Sequence, residues 1–408
     1  MSGRVAFQHP NFRLYMTARF LATIAGEMQA VAVAWQIYGI THRALDLGLV
    51  GLAQFLPGIF LFLIAGQAAD HFPRQRILQC CYLGFAGISA LLLGFTLYGL
   101  TSVWPVYGVL LLNGVVRSFN GPASQSFLPL VVPEKVFPNA VAWSSSVGQG
   151  GMIIGPMIGG LIYGVTGSPA PVYFSSMAAC LISIALLGGV RIEAVQRPRG
   201  IARPGVVLDG LRYLWRAKLT LGAISLDMFA VLLGGAVALL PVYARDILKV
   251  GATGLGFLRG APGTGAVIMA IVLAHWPLQR RAGAIMLWCV AGFGAFTLVF
   301  GLSRNFALSA AALVLVGACD MVSVIVRHTL VQLSTPDEMR GRVSAVNMIF
   351  IGASNEVGQF ESGLTAAWFG AVPAVVIGGV GTIVIVALWA VLFPDLRRVN
   401  ELQPARRQ

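Results

Sequence analysis

Charged residues are scarce in this chain of 408 residues, at 11% of the sequence, whereas 57% of the residues are hydrophobic. A water-soluble domain of this size needs far more polar residues to cover its surface, so the composition excludes an ordinary soluble protein. Acidic residues are especially few, with 15 Asp and Glu against 28 Lys and Arg. The scarcity of charge indicates a protein that lies in a lipid bilayer.

Cysteines are few, and the signatures of common enzymes are absent from the sequence. The five cysteines form no CxxC pair and lie in or beside apolar stretches, so we interpret them as small core residues. The chain has no Walker loop, no HExxH and no GxSxG, which leaves ATP-driven and hydrolytic chemistry without support. We therefore expect no enzymatic activity, no catalytic residue, no metal site and no cofactor.

Long apolar stretches occupy most of the chain. About twelve of them have roughly 20 residues or more, enough to cross a hydrocarbon core of about 30 Å as a helix. The sequence therefore predicts an all-α membrane protein with twelve transmembrane helices. The first apolar stretch is too long for the hydrophobic region of a signal peptide, so we expect it to remain as a membrane helix.

Positive charges alternate between the two ends of the predicted spans. Twenty of the 28 Lys and Arg fall in segments on one side, and four fall on the other. Because positive residues accumulate on the cytoplasmic side, we expect a multi-pass protein of a bacterial inner membrane with both termini in the cytoplasm. No aromatic-interleaved basic module accompanies the short loops, so nucleic-acid binding is not expected. The remaining four of the 28 basic residues lie inside apolar spans: Arg19, Arg117, Arg259 and Arg327.

A polar segment over residues 191–218 divides the predicted spans into six and six. Its second part has apolar residues at helical spacing beside Arg212, Arg216 and Lys218, which predicts an amphipathic helix lying on the inner leaflet. The sequence thus predicts an N-terminal half over 1–190, a cytoplasmic linker over 191–218 and a C-terminal half over 219–408.

The two predicted halves share features at a nearly constant offset. Residues 71–76, HFPRQR, match residues 275–280, HWPLQR, at four of six positions. Glu27 likewise matches Asp227, and the Pro-Gly pair at Pro57 matches the one at Pro262. Duplicated six-helix halves related by an axis normal to the membrane place a substrate site near the midplane. We therefore predict two pseudo-symmetric halves around one pathway.

Residues 66–76, GQAADHFPRQR, join the second and third predicted spans. They resemble the signature loop of the major facilitator superfamily, GxLADrxGrr, with departures at positions 68, 71 and 73. The resemblance implies the fold of that superfamily and a gating loop that includes Gly66, Asp70, Arg74 and Arg76. We expect Gly66 to permit close helix approach and Asp70 to pair with basic residues when the inner gate closes. The alternative is a solvated basic turn.

The fifth predicted span carries a run of small residues, Gly151, Gly155, Pro156, Gly159 and Gly160. It is similar to the GxxxGPxxGG pattern that marks drug/proton antiporter branches of the same superfamily. Three of the glycines, at intervals of four residues, give one flat face for tight helix packing, and the proline is expected to bend the helix. Helix packing without any meaning for transport direction is the alternative.

Ionisable residues inside the spans are costly unless they are protonated, paired or facing water, so they mark the predicted pathway. The acids are Glu27, Asp227, Asp320, Glu356 and Glu361. Arg117, followed by Asn120-Gly121, resembles a superfamily pattern associated with proton coupling, and the alternative is a structural ion pair. Asp320 occupies the repeat position of Arg117. It is also seven residues from Arg327, so a link along one helix face is a competing use of this acid.

The pattern of the whole chain resembles the enterobactin-exporter and macrolide-efflux branch of the superfamily. The resemblance implies a secondary active exporter of a small organic molecule, a drug-like compound or siderophore, driven by proton antiport. We expect the protein to function as a monomer. Among the acids, Glu27 is the first candidate for the proton site and Asp227 the second. The alternatives are a proton-coupled importer or facilitator of a small nutrient and a non-transporting membrane scaffold or sensor.

Overall fold

Helices form the regular structure of the protein in the computed structural model, which describes residues 5–99, 102–192, 206–276, 278 and 281–399. Within these ranges no strand occurs. The α-helices are α1 (Pro10–Thr41), α2 (Ala44–His71), α3 (Arg74–Leu97), α4 (Trp104–Phe127), α5 (Phe137–Thr166), α6 (Ala170–Gly188), α7 (Val206–Arg216), α8 (Lys218–Gly234), α9 (Leu240–Val242), α10 (Gly251–His275), α11 (Ala282–Leu302), α12 (Phe306–Ser334), α13 (Asp337–Phe369), α14 (Ala371–Leu392) and α15 (Pro394–Arg398).

Nine stretches of the described chain are long and apolar enough to cross a membrane. They are α1, residues Ala44–Leu61 of α2, α3, α6, the stretch Lys218–Ile247, α10, α11, α12 and α14. Three further helices, α4, α5 and α13, have 24, 30 and 33 residues but contain more polar residues and glycines. These long helices are consistent with the twelve predicted spans, and the count itself stays a prediction.

Sharp connections fold these helices back on each other. Two residues separate α1 from α2, and the first of them, His42, adopts a left-handed conformation with φ 52°. Gly167 ends α5 at φ 65°, a conformation that glycine adopts without strain. Asn305 caps α12, because its side chain accepts a hydrogen bond of 3.1 Å from the Leu308 amide.

The seventh predicted span is broken rather than continuous. Helix α8 ends at Gly234, and a 3-10 helix (Ala236–Leu239), α9 and a π-helical turn (Tyr243–Ile247) complete the crossing. Inside a membrane the carbonyl groups freed by a break need protein partners. Ser362 supplies one by donating a hydrogen bond of 3.1 Å to the Gly235 carbonyl.

Contacts divide the chain into two compact units. The first unit comprises Met1–His42, Ala53–Ala202 and Val250–Gly260. Its core is formed by apolar side chains of α1, α3, α4 and α6, among them Phe12, Tyr15, Leu78, Phe127 and Leu187. A hydrogen bond of 2.9 Å from the Tyr15 hydroxyl to the Ser124 carbonyl links α1 to α4 within this core.

The second unit comprises Arg43–Leu52, Arg203–Lys249 and Ala261–Gln408. Its core is formed by α8, α11, α12 and α14, with Leu226, Met286, Val326 and Trp389 among the buried side chains. The indole of Trp389 donates a hydrogen bond of 3.0 Å to the Ser225 hydroxyl, which satisfies both polar groups in an apolar environment.

A pair of close helix crossings repeats between the units. In the first unit, a side chain at Gly114 of α4 would collide with the Gln54 carbonyl of α2. In the second unit, a side chain at Gly317 of α12 would collide with the Pro262 carbonyl of α10. The two glycines are 203 residues apart, which is also the offset between Arg117 and Asp320. The two crossings are similar but not identical, because Gln54 lies three residues before Pro57, the repeat equivalent of Pro262.

Helix α7 uses its buried face for contacts with protein. Leu214 is fully buried and packs with Ile224, Val331, Val343 and Val346. The Tyr213 hydroxyl donates a hydrogen bond of 3.1 Å to the Ser334 carbonyl at the end of α12. The face around Leu214 therefore contacts α8, α12 and α13, and the position of this helix on the inner leaflet stays a prediction. Residues 193–205 of the predicted linker lie outside the described ranges.

Candidate functional site

Glu27 forms an ion pair with a residue that the sequence did not single out as its partner. It lies near the middle of α1, and its Oε2 is 3.7 Å from Nε of Arg259 in α10. Both residues belong to the first unit, and their side chains are 26% and 27% exposed. The pair is therefore only partly buried.

The glycines of α5 hold that helix directly against Glu27 and its neighbours on α1. A Cβ atom at Gly155 would lie 2.6 Å from Cβ of Glu27, and one at Gly159 would lie 2.7 Å from Cα of Met28. A Cβ at Gly151 would lie 2.8 Å from Cγ2 of Thr23. Real Cβ contacts essentially never fall below 3.0 Å, so these three positions accept only glycine at this helix separation.

A second small-residue face of α5 contacts the helix that carries Arg259. A Cβ at Gly160 would lie 2.6 Å from the Ala252 carbonyl of α10, and one at Gly256 of α10 would collide with the Pro156 carbonyl. Helix α5 is thus in close contact with both α1 and α10. The residues that match the GxxxGPxxGG pattern of α5 thus set how closely this helix approaches each of the two helices that carry the ion pair.

Arg117 lies in a different polar cluster. Its side chain is exposed, and Nη1 donates a hydrogen bond of 3.2 Å to Oε1 of Gln54. The same oxygen accepts a bond of 2.9 Å from the Asn113 amide. Gln54 and Arg259 are repeat equivalents, since each precedes its Pro-Gly pair by three residues.

Asp227 and Arg327 form a buried ion pair between α8 and α12. The two residues are 6% and 3% exposed. The sequence had left open a link between Arg327 and Asp320 along α12, but Arg327 pairs with the acid of the neighbouring helix. Asp320 instead lines, with Asp227 and Ser323, a small cavity.

The acids of α13 have local partners. Glu356 accepts a hydrogen bond of 3.3 Å from Gln359, and Glu361 accepts one of 2.7 Å from Thr365. The beginning of α2 packs here, because a Cβ at Gly51 would lie 3.3 Å from the Glu356 carbonyl. Glu356 therefore lies at a close helix crossing of the second unit.

The segment identified as a gating loop consists of the end of α2, a two-residue connection and the start of α3. A Cβ at Gly66 would meet no heavy atom within 4 Å, so the close helix approach expected there is absent from the described structure. Arg74 donates a hydrogen bond of 3.2 Å to the Ser126 carbonyl at the end of α4. Arg76 is exposed, and the side chain of Asp70 lies outside the described residues.

Arg19 and Arg259 are the residues that the candidate site gained from the structure. Arg19 lies in α1, eight residues before Glu27. It donates a hydrogen bond to the Ser144 hydroxyl of α5. The signal for both was present in the sequence, because an arginine inside an apolar span needs a polar partner or a water-filled cavity.

Comparisons with known proteins agree with this architecture. The model of the transmembrane secretion effector family of the major facilitator superfamily matches residues 1–407. The enterobactin exporters EntS of Shigella boydii serotype 4 and Escherichia coli O1:K1 are each 28% identical to the chain, over 97% of its length and 95% of theirs.

Solved structures share the fold at low sequence identity. A POT family transporter in complex with 5-aminolevulinic acid has a TM-score of 0.74 at 11% identity, with 95% of this chain and 97% of the other covered. A bacterial homologue of the human lysosomal transporter Spinster has a TM-score of 0.72 at 13% identity, with 95% and 97% covered. The predicted major facilitator fold is thereby confirmed. The chain is a multi-pass membrane protein and belongs to the transmembrane secretion effector family, whose members are transporters and not enzymes.

Proposed function

We propose that the protein is a secondary active exporter that moves a small organic molecule out of the cytoplasm in exchange for protons. The observation that carries the proposal is the ion pair between Glu27 and Arg259, held between helices that α5 packs closely. The substrate class proposed is a siderophore or another drug-like compound, since the EntS relatives are described as enterobactin exporters. A monomer in a bacterial inner membrane, with both termini cytoplasmic, completes the proposal.

The Glu27–Arg259 pair supplies a way for a proton to bias the conformation. A proton and Arg259 compete for the same carboxylate, so protonation of Glu27 removes the attraction between α1 and α10. At 3.7 Å the attraction is about 1 kcal/mol for a pair fully surrounded by water and about 4 kcal/mol for a pair partly shielded from water by the protein. The lower value applies more closely here, because about a quarter of each side chain is exposed.

An interaction of that size is sufficient to couple two events. Each 1.4 kcal/mol or so changes an equilibrium tenfold, and a ligand shifts a conformational equilibrium only through contacts that differ between the two states. We propose that the pair is intact in one transport state and broken in the other. Binding of one proton then favours the second state by roughly the energy of the pair.

Transport into inside-out vesicles tests direction and coupling together. An imposed gradient with an acidic lumen is expected to drive uptake of labelled enterobactin or of a compound from a drug-like panel. Uptake only under the reversed gradient indicates an importer. No flux of any compound under either gradient indicates a scaffold.

The contribution of the ion pair is tested by Arg259→Gln, which places in α10 the residue found at the equivalent position of α2. We expect reduced pH-driven uptake at matched expression. Arg304→Gln is the control, because Arg304 is exposed between α11 and α12. Uptake by Arg259→Gln equal to that of the control contradicts the role of the pair.

A further inference from the structure

A second cluster of ionisable groups lies in the second unit, apart from the Glu27–Arg259 pair. A small cavity there has apolar walls and three polar side chains. The polar lining consists of Asp227 from α8 with Asp320 and Ser323 from α12, and the apolar lining includes Val290 and Phe293 from α11. We name it the Asp227–Asp320 cavity.

The charges around this cavity do not balance when both acids are ionised. Arg327 neutralises the charge of Asp227 through their buried ion pair. The negative charge of Asp320 then remains without a counter-ion among these residues. Other titratable groups beside the cluster are His328, which is exposed, and the thiol of Cys319. An excess negative charge away from bulk water is costly unless a cation or a proton neutralises it.

Hydrogen bonding at the cluster is also incomplete. Nε of Arg327 is buried and has no hydrogen-bond partner within the described part of the chain, although the residue is only 3% exposed. Among the described residues the Asp320 carboxylate likewise has no hydrogen-bond or ion-pair partner, because the guanidinium is bound to Asp227. The guanidinium thus retains one free donor near two acids.

The repeat relation shows why the second unit has this surplus. Asp227 is the equivalent of Glu27, and Asp320 is the equivalent of Arg117. The first unit therefore carries a cation at the position where the second unit carries an acid. The second unit does not copy the first site but contains an additional carboxyl group.

We propose that the Asp227–Asp320 cavity is a second proton-binding site, in which the two carboxyl groups together hold one proton and Arg327 neutralises the remaining charge. Ser323 lines the same cavity, and its hydroxyl can donate to the ionised oxygen or accept from the protonated one. The site binds its proton without any substrate. Its use in transport rests on the proposed antiport function.

Infrared spectroscopy of the purified full-length protein in lipid, without substrate or pH gradient, tests the site. The carbonyl stretch of protonated carboxyl groups is followed as the pH is lowered. Asp320→Asn is expected to lose one band that the wild-type protein shows, and Asp395→Asn, which changes an exposed acid of α15, is expected to retain it. Asp227→Asn is also expected to lose the band, because Asp320 is then alone with Arg327 and the charges balance without a proton.

Retention of every carboxyl band in both Asp320→Asn and Asp227→Asn overturns the proposal. A thermal melt confirms that each variant is folded, and the two variants test the same band independently if one of them fails to fold. Glu27→Gln is expected to leave this band unchanged. Because no transport is measured, a negative result here leaves the antiport proposal untouched, and loss of antiport in vesicles leaves this site untouched.

Discussion

Replacement of Gly155 by alanine tests the close contact between α1 and α5. The added methyl carbon would lie 2.6 Å from Cβ of Glu27 and 3.1 Å from the Ile24 carbonyl oxygen. Neither neighbour is the flexible end of a side chain, so the helices themselves must separate. Ordinary contact begins at 3.4 Å, which requires a displacement of about 0.8 Å.

The magnitude follows from comparison with a second glycine of the same helix. Overpacking of this kind costs about 1–3 kcal/mol, whereas alanine in place of glycine gains up to about 1 kcal/mol in helix propensity. At Gly150 the new Cβ would lie 3.6 Å from Phe20, an ordinary contact. Gly150→Ala therefore has the propensity gain without the collision, and the two variants should differ by about 1–3 kcal/mol.

Unfolding of the purified protein in mixed detergent micelles measures that difference. Gly155→Ala should unfold at a lower denaturant concentration than Gly150→Ala. Its unfolding equilibrium constant should be larger by on the order of ten- to a hundredfold. Its pH-driven uptake should also fall, because the displacement moves Glu27 relative to Arg259. Equal stability of the two variants refutes the packing argument.

Two further predictions concern the second unit. Arg327→Gln should lower the stability by about 3–5 kcal/mol, because it leaves the Asp227 charge buried and unpaired, and adding Asp227→Asn should restore most of that loss. The same unfolding assay measures both, and an additive double variant contradicts the ion pair. Leu214→Ala should cost about 2–5 kcal/mol, whereas Trp215→Ala, at a position 68% exposed, should cost less. Equal effects at these two positions would place α7 away from α13.

The fold was largely predictable because its determinants are local or repeated. Hydrophobic stretches defined the long helices, and two glycines 203 residues apart, Gly114 and Gly317, both lie at close helix crossings. The glycine spacing in α5 indicated one flat face, and the structure shows Gly151, Gly155 and Gly159 against α1. Each of these inferences needed only the period of a helix or a comparison of the halves.

Partner identities were less predictable. Helix α10 is apolar around most of its circumference, so no periodicity fixes the direction in which Arg259 points. The spacing of Asp320 and Arg327 suggested a link along α12, but a buried guanidinium takes the acid that tertiary packing brings nearest, and that acid is Asp227. Gly66 matched a family pattern, yet its surroundings are open. Such pairings depend on helix rotation and separation, which one sequence does not specify.

The central claim is that Glu27 carries the proton that drives export. The measurement that tests it most directly is pH-driven efflux and substrate binding by Glu27→Gln, compared at matched expression with Glu134→Gln, an exposed acid before α5. Glu27→Gln should bind substrate but no longer respond to the pH gradient, while Glu134→Gln should behave as the wild type. Full pH-driven efflux by Glu27→Gln would show that another group carries the proton.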